Sequence, residues 1–432
     1  MLISGRFVAL ALVGVLLAAW SAVAVGVYAL VLVLALATDL ALAGRIAGLD
    51  VGREPTAPVR LGERAESVLA ATNTGRRVVR ALVRDAWVPS AGARPRAQRV
   101  GVPPGETRRL TTVLVPTRRG ERDTDRVTVR SYGPLGLGAR QRRLVVPGRL
   151  QVLPPFTSRR FLPEKLSRLR RLDGAVLVRQ RGQGSEFDSL RTYVTGDDVR
   201  ALDWRATARS RDLVVRTWRP ERDRHVVLAV DTGRSSAARL GDEPRLDGAL
   251  DACLLLGALA ARAGDRVALV AADVEVRARL GPSGGRDVLP RLVGALAPLE
   301  PSLVETDPQL LAAEVLRQVS RRSLVVLFSA LDTASGDAAE GAGLLPTARA
   351  LAARHEVVVA SASDPELARL AHERGDPAQA YLAAAAELAA ARRAAVIEQL
   401  GLLGVHVVDA PTDVLASKVA DAYLDLKAAG RL

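Results

Sequence analysis

No charged residue occurs between Phe7 and Thr38, and the run ends only at Asp39. As one helix, at about 1.5 Å per residue, it would extend roughly 50 Å, too long for a single crossing of a hydrocarbon core about 30 Å thick. Two crossings fit better. Trp20, Ser21, Gly26 and Tyr28 then mark an interfacial turn, and Arg6 on one flank with Arg45, Arg53 and Arg60 on the other hold both ends in the cytoplasm. A single tilted span and a cleaved signal peptide, with Ala22 to Ala24 as its small-residue site, are the competing readings. The continuation of the apolar run to residue 38 argues against the signal peptide. Asp39, close to the cytoplasmic end, is expected as a hydrated interfacial carboxylate, with a buried polar site as the alternative.

The chain of 432 residues is long enough for two or three globular units, and its 49% hydrophobic content can fill them. Its net charge of +14 comes from arginine, because Lys165, Lys418 and Lys427 are the only lysines. None of the three follows a glycine-rich G-x-x-x-x-G-K-[ST] pattern, so the chain is not itself a P-loop ATPase. Cys253 is the single cysteine, and His225, His355, His372 and His406 are scattered, which excludes disulfides and Cys/His zinc spacing. Cys253 reads as a small core residue of the helix ALDACLLLGALAARAG.

Between Val51 and Leu153 short alternating runs such as SVLAATN, RRLTTVLVP and DRVTVRSY are separated by Gly and Pro turns, including PPGE and YGPLGLG. That spacing predicts a small antiparallel β-sandwich with no nucleophile and base in reach of each other, a spacer or docking module. From Arg140 to Arg224 basic residues exceed acidic ones by 11, and RRFLPEKLSRLRR at Arg159 to Arg171 is the densest part. A solvated or internally paired basic face is the first reading, with anionic lipid or an acidic protein face as alternatives. Nucleic acid is not expected as a partner, because aromatic residues make up 3% of the chain and stacking platforms are scarce.

After His225, buried strands such as HVVLAVD and SLVVLFS alternate with helices, which implies a mainly parallel sheet covered on both faces. Binding chemistry in such folds sits at the carboxyl ends of the strands. The first strand ends in DTGRSS, which resembles the D-x-S-x-S loop of von Willebrand factor A-like domains, where an aspartate and two hydroxyls help hold Mg²⁺. Asp231 and Ser235 match, and Thr306 stands where that family has its threonine ligand. Gly233 replaces the first serine, and Ala330 replaces the aspartate expected after SLVVLFS, with Asp332 two residues on. The resemblance therefore implies a degenerate metal loop at Asp231, Ser235 and Thr306. Mg²⁺ is the candidate cofactor, and a plain strand-end turn that holds none is the leading reading. The glycines of GPSGGR, Gly281 to Arg286, read as a turn before the next helix.

The stretch GDDVRALDWRATARSRDLVVRTW, Gly196 to Trp218, interleaves carboxylates with arginines. Glu186, Asp188, Asp197, Asp198 and Asp203 are matched by Arg191, Arg200, Arg205, Arg209 and Arg211, which points to ion-paired scaffolding before catalysis. No histidine or lysine in the stretch supplies a base. The order Gly182, Gly184, Glu186, Phe187, Leu190, Arg191, Tyr193, Gly196, Asp197, Asp198, Arg200, Asp203, Trp204, Ala208 and Arg209 closely resembles the bacterial family known as domain of unknown function 58. The resemblance implies association with MoxR-type AAA+ ATPases and with other membrane-anchored proteins.

Together these readings predict an α/β protein: a two-helix membrane hairpin (1–48), a β-sandwich-like domain (52–155), a basic signature segment (156–224) and a von Willebrand A-like, doubly wound, mainly parallel domain (225–432). The expected role is that of a non-enzymatic adaptor in the cell membrane, with two spans and its soluble domains in the cytoplasm. It would serve a MoxR-type ATPase in assembling or remodelling a membrane or envelope complex. Two other classes stay open: an envelope component independent of an ATPase, and a metal-dependent hydrolase using Asp197, Asp198 or Asp203.

Overall fold

The computed structural model describes the chain except residues 1, 17–20, 180–185, 196, 211, 220–223, 242, 332–342 and 374; residues 16, 173–179, 186–188 and 217–219 are described by backbone alone. The chain forms two units, Met1–Pro155 and Phe156–Leu432.

The first unit begins with two helices, α1 (Gly5–Leu16) and α2 (Ala22–Leu42). Ser21 starts α2 by accepting the Ala24 amide on its hydroxyl at 3.1 Å. The Tyr28 hydroxyl of α2 donates to the Leu10 carbonyl of α1 at 2.7 Å, so the two helices touch. Only α2 is long and apolar enough to cross a membrane among the described residues. The 12 residues of α1 run about 18 Å, short of a bilayer core.

Asp39, near the end of α2, is not hydrated. It is fully buried, and its carboxylate accepts four backbone amides: Leu135 and Gly136 on Oδ1 at 2.7 and 3.3 Å, Leu137 and Gly138 on Oδ2 at 2.8 and 3.1 Å. The expectation of an interfacial carboxylate fails because the loop Gly133 to Gly138 supplies every hydrogen bond that water would have given. Gly133 is required there: a Cβ would lie 2.2 Å from both the Asp39 carbonyl and its Oδ1.

Alternation of buried and open positions then builds two sheets. The strands β1 (Leu49–Arg53), β2 (Ala65–Asn73), β3 (Val79–Asp85), β4 (Gln98–Val102), β5 (Thr107–Leu114), β6 (Gly120–Tyr132) and β7 (Gly138–Leu153) pair as β1-β2-β5 and as β7-β6-β3-β4. Short pieces at Leu2–Ile3 and Val59–Arg60 add to β7. Leu69 and Ala71 of one sheet pack with Val83, Val127 and Val129 of the other. A buried ion pair joins the sheets, with both Arg53 Nη atoms 2.7 and 2.8 Å from the Asp85 carboxylate, which also accepts the Trp87 indole N–H at 2.8 Å.

In the second unit, α3 (Leu162–Arg179) leads to the antiparallel pair β8 (Glu186–Thr192) and β9 (Val214–Arg219), whose connection holds the one-turn helix α4 (Trp204–Thr207). There follow β10 (His225–Asp231), α5 (Arg245–Arg262), β11 (Arg266–Ala272), β12 (Val276–Ser283), α6 (Val288–Leu296), α7 (Pro308–Gln318), β13 (Leu324–Phe328) and α8 (Leu344–Ala352). The chain closes with β14 (Glu356–Ser363), α9 (Pro365–Leu370), α10 (Pro377–Leu402), β15 (His406–Pro411) and α11 (Thr412–Ala428). The six-stranded sheet runs β12-β11-β10-β13-β14-β15, parallel except for β12. Val227 and Ala229 of β10 face Leu311, Val315, Leu351 and Leu400 of α7, α8 and α10. α5 and α11 pack together on the sheet as well. Cys253 is buried in α5, where desolvation holds its thiol well above the ordinary range.

The basic segment is partly paired within this unit. Lys165 is buried, with Nζ 2.9 Å from both Asp421 oxygens of α11, and Arg168 Nη1 lies 2.8 Å from the same carboxylate. Ser158 and Thr157 donate to Asp251 of α5 at 2.9 and 2.8 Å, and burial nevertheless raises the carboxyl of Asp251.

Candidate functional site

Strand order in the sheet reverses at β10: the chain steps from it to β11 on one side and later to β13 on the other. The carboxyl ends of these three parallel strands lie side by side, the geometry in which open α/β sheets bind ligands. Asp231 ends β10 and is nearly buried. Its Oδ1 accepts the Gly233 amide at 2.8 Å and the Thr306 hydroxyl; its Oδ2 accepts the hydroxyls of Ser235 at 3.1 Å and Ser329 at 2.8 Å. The three residues read from the sequence, Asp231, Ser235 and Thr306, therefore do meet.

Ser329 was missed. The von Willebrand A-like resemblance places an aspartate at position 330, where Ala330 is buried, whereas the residue that reaches Asp231 from the end of β13 is its neighbour. Asp332 lies outside the described residues. Asp273, also missed, directly follows β11, one residue beyond Ala272, the register partner of Asp231, and an aspartate at or just past the ends of neighbouring strands is the signal that could have found it. It is fully buried and accepts Ser302 and Arg277 on Oδ2, both at 2.7 Å, and the Glu275 amide on Oδ1 at 3.1 Å. Burial pushes its carboxyl up, but the Arg277, Ser302 and Glu275 hydrogen bonds outweigh that and leave it below its ordinary value.

Backbone bonds lace these loops together: Arg234 N–H to Val304 O at 2.7 Å, Ser302 N–H to Thr232 O at 2.8 Å and Asp307 N–H to Asp273 O at 3.0 Å. The outer surface of the lacing is apolar, with Leu303 81% exposed and Val304 and Val274 open beside it. Arg234 pairs at the surface with Glu305, 2.6 Å away.

As described, the cluster does not fit Mg²⁺. Among the described residues Asp231 is its one carboxylate, and four protein donors already occupy that group's acceptor sites. A side chain at Gly233 is shut out, since a Cβ there would lie 2.1 Å from the Thr306 hydroxyl. Magnesium sites lean on carboxylates and retained waters. No three His, Cys, Asp or Glu side chains form a metal-holding group among the described residues.

The signature stretch forms the β8–β9 hairpin and its connection. Arg191 Nη2 holds Asp197 Oδ1 at 2.6 Å, and Asp197 Oδ2 accepts the Val194 amide at 2.9 Å; the Arg191 bond depresses that carboxyl. Asp198 accepts the Arg200 amide at 2.9 Å, starting a short 3-10 turn. Asp203 caps α4 through the Ala206 and Arg205 amides at 2.9 and 3.0 Å and receives Arg216 Nε at 2.8 Å, contacts that lower its carboxyl in that order of partners: Ala206, Arg216, then Arg205. The carboxylates that suggested acid–base chemistry are thus turn caps and ion-pair partners. Trp204 is 67% exposed, and Arg200 and Arg209 are exposed too. Glu186 faces Arg219 across the hairpin, its side chain outside the described residues, as are Gly182, Gly184 and Gly196. Of GPSGGR, Gly281 to Ser283 still belong to β12, and the turn expected there begins only at Gly284, followed by a 3-10 turn at Gly285–Asp287 that leads into α6.

Uncharacterised proteins of Mycobacterium tuberculosis and Mycobacterium bovis are 29% identical over 186 residues, 43% of this chain and 56% of theirs. The chain thus spans about half the length of the curated relatives it matches. Among solved structures, the conserved hypothetical protein BatB of Bacteroides thetaiotaomicron is 13% identical with a TM-score of 0.31, covering 48% of this chain and 99% of its own. An aerotolerance-related membrane protein of Bacteroides fragilis is 12% identical with a TM-score of 0.29, covering 47% and 98%. Residues 189–380, which carry both the hairpin and the strand-end cluster, match the family described as protein of unknown function DUF58.

Proposed function

We propose that the chain is a membrane-anchored, non-enzymatic interaction protein whose α/β unit is von Willebrand A-like and docks a MoxR-type AAA+ ATPase. α2 is its membrane span, α1 packs on it as the shorter arm of the hairpin, and the soluble units lie in the cytoplasm. The observation that carries the reading is the strand-end cluster. Its buried carboxylate is saturated by hydroxyls and an amide, its loops are tied into one surface, and its outward side chains, Leu303, Val304 and Val274, are apolar. Such a surface suits recognition, where buried apolar contacts carry affinity and a fixed backbone limits the ordering cost. The ATPase as partner follows from the family resemblance and from the absence of a P-loop lysine in this chain.

Affinity purification of the detergent-solubilised, mildly cross-linked chain from its own cells, in Mg²⁺ and in EDTA, tests the proposal. Enrichment of an AAA+ ATPase in both conditions is the expected result. Loss of enrichment in EDTA would restore a metal role to Asp231, and enrichment of envelope proteins without an ATPase would replace the adaptor by an envelope component.

A further inference from the structure

The β8–β9 hairpin is a poor core builder. Two strands alone are marginal in water, and Val215 is the one buried large apolar side chain described between Ser189 and Arg216. Leu190, Val194, Val199, Trp204 and Leu213 are instead exposed within this short module. Single exposed apolar residues are ordinary, whereas five clustered along one module mark a contact surface.

Charge says what kind of surface covers them. Asp197 and Asp203 are engaged by Arg191 and Arg216, and Asp198 is turned to the Arg200 amide. Arg200, Arg205 and Arg209 are exposed and make no ion pair among the described residues. Among the described residues the module therefore offers three guanidinium groups without an ion pair beside an indole and four aliphatic side chains, with Asp198 and Asp212 as its exposed carboxylates. Trp with arginine is the pairing that settles at a membrane surface, the ring at headgroup depth and the cations on anionic lipid.

We propose that this hairpin binds the surface of an anionic bilayer through Trp204, Val194 and Val199, with Arg200, Arg205 and Arg209 on lipid phosphates. The proposal rests on the reading of α2 as a membrane span, because a chain already anchored meets lipid at high effective concentration, and few weak contacts then suffice. A protein partner with an acidic surface is the alternative that the test separates.

The full chain carrying Val194→Cys, labelled with an environment-sensitive fluorophore, is placed in nanodiscs of phosphatidylcholine alone or with phosphatidylglycerol. Cys253 is buried and does not compete for the label. Emission is expected to be about twofold or more higher with phosphatidylglycerol, to be quenched by spin-labelled lipid, and to fall back when Arg200, Arg205 and Arg209 are changed together to Glu or when Trp204→Ala is introduced. Circular dichroism of each variant controls for folding. Equal emission in the two lipids, or a response that survives the arginine changes, overturns the proposal and leaves the surface to a protein. A chain that does not enter nanodiscs at all overturns the membrane anchor instead, and the proposal with it.

Discussion

Gly233 shows why a sequence departure can be a packing requirement. Its missing side chain leaves room for the Thr306 hydroxyl, so the loop closes on Asp231 through a direct hydrogen bond. Gly233→Ala is expected to destabilise the chain by about 1–3 kcal/mol, because the backbone carbonyl of Val304 also lies 2.9 Å from the new atom and cannot rotate away. Denaturant unfolding monitored by circular dichroism measures it. Asp273 gives a pH signature. Its folded pKa lies below its ordinary value of 3.8, so near that pH the unfolded chain binds more protons than the folded one. The stability it contributes is present above that value and is lost as pH falls through its lower folded pKa. Asp273→Asn should therefore lower the melting temperature at neutral pH while flattening the loss of stability between about pH 4 and pH 3. An unchanged acid slope would remove Asp273 from the account. Asp231 and Thr306 could be placed together through the resemblance to the von Willebrand A-like loop, but Ser329 could not, because that resemblance points to position 330 and only the register of β13 against β10 selects the residue before it.

At the scale of elements, α2 and the β-sandwich loop are joined by one carboxylate. Asp39→Ala leaves four backbone amides without their acceptor, and the loop at Gly133 to Gly138 is expected to lose roughly 3 kcal/mol of local stability. Hydrogen exchange in detergent should show faster exchange at Leu135 and Leu137, with amides of β2 unaffected. The YGPLGLG turn was legible as a turn, and Asp39 as an unusual charge; that each explains the other was not, since 96 residues separate Asp39 from Leu135. The alternation of strands and helices after His225 was plain from apolar runs alone, because fully buried parallel strands leave no other pattern. The signature carboxylates were read first as ion-paired scaffolding, and Arg191–Asp197 and Asp203–Arg216 take that form. Their capping duties were hidden, because the turns they begin exist only once β8 and β9 pair. Asp203→Ala removes both a cap and an ion pair and should disorder the connection, seen as faster proteolysis between Tyr193 and Leu213, while β10 to β13 keep their exchange protection.

At the scale of the whole molecule, an apolar helix long enough to cross a membrane and the surface proposed for recognition at the carboxyl ends of a mainly parallel sheet define the account. The chain's arginine excess was visible from composition, but its distribution was not: Lys165 and Arg168 are spent on α11, whereas Arg200, Arg205 and Arg209 stay open. The central claim is that the strand-end surface docks its partner without a cation. The most direct measurement is the binding of a purified, nucleotide-free MoxR-type ATPase from the same cells to the full chain in nanodiscs, in Mg²⁺ and in EDTA, with wild type and Leu303→Asp compared. The account predicts saturable binding of equal Kd in both solutions and a loss of about tenfold or more for Leu303→Asp. Binding seen only with Mg²⁺, or unchanged by Leu303→Asp, would contradict it.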